Sequence, residues 1–85
     1  CDGLRAQMGS LTFPIIKDKV NGIITLSEDD IIIAMRTIWE RLKIIVEPSC
    51  SIALAAVIKR QDLVKNKKVG LIMSGGNVDL YSLPW

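Results

Sequence analysis

The strongest local constraint in this 85-residue chain is the run SEDDIIIAMRTIWERLK, residues 27–43. Ser27 and Asp30 form a capping-box pattern: the hydroxyl can accept from the N–H three residues on, and the carboxylate can reach back. The acidic triplet Glu28, Asp29 and Asp30 suits the positive end of a helix dipole, and the basic end ERLK suits the negative one. Ile31, Met35, Ile38 and Leu42 follow at spacings of 4, 3 and 4, which draws one apolar stripe along a helix. Arg36 and Glu40 lie four apart on another face and can pair, for a few tenths of a kcal/mol. The pattern predicts a helix over 28–43.

Its surroundings limit the fold further. Pro48 disfavours helical geometry at Glu47, so the chain must turn there. CSIALAAVIKR (50–60) then reads as a second helix, buried on most sides, whose three alanines and Ser51 let another backbone come close. Upstream, residues 2–10 read as a loop. Pro14 lies near the first turn of a short predicted helix over 13–19, with Ile15, Ile16 and Val20 near one face. IITL (23–26) is β-branched and predicts a strand. QDLVKNKK is a polar connection, and VGLIM (69–73) is a continuous apolar run, as for a strand covered on both faces. The order helix, strand, helix, helix, strand predicts an α/β fold: part of a mostly parallel sheet with flanking helices. Two strands do not make a stable sheet. The sheet is therefore expected to be completed by strands from outside this chain, or by another copy of it.

Composition points the same way. Hydrophobic residues make up 49% of the chain and mean hydropathy is +0.34, rich for a small domain with a thin core. With no initiator Met at Cys1, the chain is expected to be a segment of a longer protein. Net charge is +2 with four aromatics, so a basic stripe with stacking rings for nucleic acid is missing. KNKK (65–68) reads as a solvated turn. No apolar run approaches a membrane span, nothing reads as a signal or transit peptide, and the expected location is cytoplasmic. Cys1 and Cys50 form no CxxC pair and the chain has no His, so no metal site is expected and two free thiols are.

In an open α/β sheet, ligands bind beyond the carboxyl ends of the strands, which is where Ser74-Gly75-Gly76-Asn77 falls. Ser74 offers a donor and an acceptor, and the two glycines permit positive φ and close approach of a ligand. The same tetrapeptide also reads as a plain turn after a strand, and the residues alone leave both readings open. Glu47 is either solvated at a helix end or buried and paired. Asp2-Gly3 is ordinary turn chemistry.

Together, Asp2-Gly3, WERLKIIVEP, the small-residue helix and SGGNVDL resemble the C-terminal portion of the tryptophan-synthase β-like (fold type II) pyridoxal-phosphate enzymes. Within that family the likeness is to the branch of serine racemases and of threonine/serine and hydroxyaspartate dehydratases. It covers nearly the whole chain; WER-x-K-x-x-x-EP is its more specific part, and SGGN is shared across the dehydratases. The resemblance implies that residues 1–85 are the C-terminal segment of a large cofactor-binding domain, and an incomplete domain. The lysine that bonds pyridoxal phosphate, the serine that acts as second acid/base, the Gly-rich phosphate cup and the carboxylates of a divalent-metal site precede this segment in the family. No catalytic residue is then expected in it, and the 85 residues alone are expected to be inactive.

By the same resemblance, Ser74 matches the residue whose hydroxyl hydrogen-bonds the pyridine nitrogen. A neutral partner leaves that nitrogen largely unprotonated, where an Asp would hold it protonated. Gly3 matches a glycine whose backbone lies against the ring, Glu47 matches a carboxylate near the cofactor edge, and Gly75, beside Ser74 in the same loop, is expected to bind the cofactor with them. Lys43 and Asn77 match positions that touch an activating nucleotide at a subunit interface; Lys43 also reads as a basic residue closing a helix. The parent enzyme is expected to be a homodimer acting on L-serine or a similar amino acid, with Mg2+ and ATP as further ligands. The competing expectation is a non-catalytic module that associates with other chains and binds no cofactor.

Overall fold

The computed structural model describes residues 1–85. Four α-helices follow a 3-10 turn at Asp2–Leu4: α1 (Thr12–Lys19), α2 (Glu28–Leu42), α3 (Pro48–Lys59) and the single turn α4 (Gln61–Val64). The molecule is a slab of 39 × 34 × 19 Å.

α2 forms where its caps predict. The Asp30 N–H donates to Ser27 Oγ at 3.1 Å, and the Ser27 N–H donates to Asp30 Oδ2 at 3.0 Å. The Arg36–Glu40 pair is made, at 2.6 Å. Ile31, Met35 and Ile38 of the predicted stripe are buried and Ala34 joins them, but Leu42 is exposed. Leu42 is the last helical residue. The backbone turns out of the helix at Lys43, which adopts a left-handed conformation (φ 58°, ψ 33°).

α3 begins two residues earlier than predicted, because Pro48 itself occupies its first turn, where a missing N–H is no loss. α3 packs on α2, and Met35, Ile38, Val46 and Cys50 make the core, with Trp39, Leu54 and Val78 against it. The expectation that α3 is buried on most sides holds in part: Cys50, Ser51 and Ala55 are buried, while Ile58 is exposed. Lys59, at its far end, donates to Asp30 Oδ2 at 3.0 Å and ties α3 to the start of α2. α1 buries no residue and Ile15 is exposed.

The predicted strands 23–26 and 69–73 carry no strand pairing. A ladder needs a neighbour, and no backbone hydrogen bond joins these two segments. The apolar run 69–73 is exposed rather than covered on both faces; Ile72 is 83% exposed. The chain's accessible surface is 6950 Å², whereas a compact monomer of this size exposes roughly 5,000 Å². The apolar surplus read from composition thus lies on the surface, with Phe13 and Ile15 of α1, Ile23, and Val69, Leu71, Ile72 and Met73 among the exposed residues. Cys1 and Cys50 are both free thiols. No helix is long and apolar enough to cross a membrane.

Candidate functional site

The site is organised around one peptide unit at the entry to α3. Glu47 is the N-cap, in extended geometry (φ −86°, ψ 165°). Its carbonyl accepts from the N–H groups of Cys50 (3.1 Å) and Ser51 (3.2 Å) and from Ser51 Oγ (3.0 Å). Its own N–H donates to the Gly75 carbonyl at 3.1 Å. The preceding carbonyl, of Val46, accepts from the Trp39 indole Nε1 at 2.9 Å. Val46 C=O and Glu47 N–H belong to one planar trans peptide, so that plane is held at both edges, by α2 on one side and by the SGGN loop on the other.

The Glu47 side chain makes no cap hydrogen bond to its helix. The carboxylate turns instead toward the loop: Oε1 lies 2.9 Å from the place a Cβ on Gly75 would occupy. This settles what the two glycines do locally. Neither has a positive φ, so the left-handed freedom expected of them is not used. The close approach they allow is by the chain's own Glu47 and Ile45.

Two cavities meet at Ser49. A polar one of about 340 Å³ is bordered by Asp2, Glu47, Ser49, Asn77 and Asp79. A second, of about 570 Å³, has walls that include Leu4, Ile24, Leu26 and Ala53, with Ser49 and Ser74 as its two hydroxyls. A Cβ on Gly3 would sit 3.1 Å from Ser49 Oγ, so Gly3 lies directly on the start of α3. Of the residues singled out from sequence, Glu47, Gly75, Gly3, Ser74 and Asn77 therefore gather at the N-terminal end of α3. Lys43 lines neither cavity.

Sequence reasoning missed two residues here. Ser49 directly follows Glu47-Pro48, and its position one residue after a helix-starting proline was the available signal. Trp39 stands in WERLK. A half-buried indole needs an acceptor, but nothing in the sequence says which carbonyl it reaches.

A helical segment with an apolar-walled cavity at a helix start and a loop hydroxyl on its lining has the features of a ligand-binding protein. The chain belongs to the pyridoxal-phosphate dependent enzyme family, whose model matches residues 1–75. It is 55% identical over 84 residues to a serine racemase of Dictyostelium discoideum, covering 96% of this chain and 26% of that protein. It is 43% identical over 84 residues to a β-hydroxyaspartate dehydratase of Paracoccus denitrificans, covering 99% of this chain and 27% of the relative. The solved serine racemase from Dictyostelium discoideum superposes with a TM-score of 0.85 at 56% identity, over 93% of this chain and 27% of that one. The fold is thus that of fold type II pyridoxal-phosphate enzymes over the matched portion. The chain spans about a quarter (26%) of the length of the first of these curated relatives.

Proposed function

We propose that this chain is the C-terminal part of the large domain of a pyridoxal-phosphate-dependent serine racemase that also dehydrates L-serine and L-threonine. The observation that carries the reading is the Ser74 hydroxyl on an apolar-walled cavity, on a loop anchored through Gly75 to Glu47. A flat heterocycle suits such walls, and a cavity of about 570 Å³ lies within the usual range for cofactor sites. No basic side chain lines that cavity, in keeping with a phosphate held by residues outside this segment.

Pyridoxal phosphate, when bound, supplies the electron sink that lets an amino acid lose its Cα proton. Ser74 would hold the pyridine nitrogen by a neutral hydrogen bond and so keep it largely unprotonated. Gly3 would lie under the ring, Gly75 would shape the Ser74 loop, and Glu47 would stand at the cofactor edge. None of them would move the proton. Delivery of a proton to the opposite face by a second acid outside this segment would give racemisation, and loss of the β-hydroxyl would give dehydration.

The unpaired segments 23–26 and 69–73 would complete a mostly parallel sheet with strands of the same enzyme. A homodimeric, cytoplasmic parent with Mg2+ and ATP as further ligands belongs to the same proposal, with Asn77 and Lys43 as nucleotide contacts. A β-hydroxyaspartate dehydratase is the second reading, supported by the relative 43% identical over 99% of the chain.

The test uses the full-length protein with pyridoxal phosphate and L-serine, following D-serine and keto-acid formation. Ser74→Asp should shift the cofactor absorbance and lower turnover at least tenfold. An unchanged spectrum and rate would reduce Ser74 to a turn residue, and hydroxyaspartate turnover without serine turnover would favour the second reading.

A further inference from the structure

We propose that Trp39 is a positioning residue for the cofactor-facing loop, acting through the peptide between Val46 and Glu47. The inference rests on the pyridoxal-phosphate reading above and goes beyond it, because Trp39 lies on α2 and borders neither cavity. Its indole N–H is a donor with no acceptor capacity, and it donates to the Val46 carbonyl at 2.9 Å. The opposite edge of the same peptide donates to the Gly75 carbonyl at 3.1 Å. Residues 43–47 have no strand partner, so these two bonds replace the ladder that would otherwise orient the peptide.

Two further contacts make the arrangement directional. Trp39 is fixed from below by the Met35, Ile38, Val46 and Cys50 core. The Trp85 ring meets it edge-on, with centroids 5.2 Å apart and planes at 85°, so the tail that follows the loop returns to the residue that holds the loop's anchor. Rotation of the 46–47 peptide would move Gly75, and with it Ser74, and would swing the Glu47 carboxylate off Gly75. Trp39 thereby sets where the hydroxyl and the carboxylate stand, while touching neither.

The test is made on the full-length protein with Trp39→Phe, which keeps an aromatic ring and loses the donor, and with Met35→Leu, a volume-conserving change in the same core. Trp39→Phe should speed hydrogen exchange at the Glu47 amide about five- to tenfold, the range of one hydrogen bond. It should also weaken pyridoxal-phosphate binding to the apoprotein by a similar factor, while Met35→Leu leaves both within about twofold. Either quantity unchanged in Trp39→Phe, or equal shifts in Met35→Leu, overturns the proposal. Should Trp39→Phe not fold, the wild-type indole proton decides: exchange as fast as in free tryptophan overturns the assignment, and strong protection supports it. Failure of the underlying reading looks different, since the wild-type protein itself would then take up no pyridoxal phosphate. The exchange measurement would in that case decide the clamp by itself.

Discussion

A Cβ on Gly76 would lie 2.5 Å from the carbonyl oxygen of Ile45. The obstructing atom is backbone, so it cannot step aside as a flexible side-chain end would. The glycine is required for space, since its φ is not positive. Gly76→Ala should therefore lower the unfolding free energy of the full-length protein by about 1–3 kcal/mol, the range for overpacking. Gly22→Ala, where a Cβ meets nothing within 4 Å, should change it by less than about 0.5 kcal/mol. Denaturant midpoints of the two variants check both numbers.

The Asp30 carboxylate is pulled from the ordinary 3.8 down to about 2. The backbone hydrogen bond from Ser27 contributes most, then the Ser27 side chain, then the Lys59 ammonium. A carboxylate depressed in the folded state adds stability above its unfolded pKa and loses it as pH falls through the folded one. The contribution is therefore complete above about pH 4 and disappears toward pH 2. Asp30→Asn should be less stable at neutral pH and should show a flatter stability profile across that window. A profile as steep as wild type between these pH values would remove Asp30 from the acid response.

These two cases show what was readable in the residues and what was not. α2 was readable because its signals are local: Ser27 and Asp30 three apart, then Ile31, Met35 and Ile38 on one side. Leu42 broke the pattern because the helix ends there. The segments 23–26 and 69–73 were readable as apolar strand candidates, and they stay unpaired in this chain because a strand's hydrogen bonds come from a neighbour. Glu47 and Gly75 could be picked out from Pro48 and the double glycine. Their contact could not, because it joins segments 28 residues apart by a backbone bond that any residue type could make. The Trp39–Val46 bond spans seven residues across a helix end, a spacing with no periodic signature.

Lys43 ends α2 at φ 58°, ψ 33°. For an L-residue with a side chain this left-handed geometry costs about 1–2 kcal/mol, and glycine is largely free of the penalty. Lys43→Gly should therefore raise unfolding stability by about 1 kcal/mol, less the entropy that glycine gives up on folding. The same variant tests the nucleotide contact. Activation by ATP in the full-length protein should weaken if Lys43 holds the nucleotide, and an unaltered ATP response would leave it only the role of closing the helix.

The 85 residues by themselves should neither capture the cofactor covalently nor turn over L-serine. Only eight of them are buried, too few for a core that could hold the cavity walls in place. Leu11, Ile23 and Ile72 are 84%, 77% and 83% exposed, and apolar surface left exposed drives association. The isolated chain should bind a hydrophobic dye strongly and self-associate at micromolar concentration. With added pyridoxal phosphate it should show no absorbance band of a lysine-bonded cofactor, because none of its lysines matches the cofactor-bonding position of the family. A stable band of that type, lost on mutation of one of these lysines, would show that the segment carries its own attachment point and would overturn the reading of it as a cofactor-tuning wall alone.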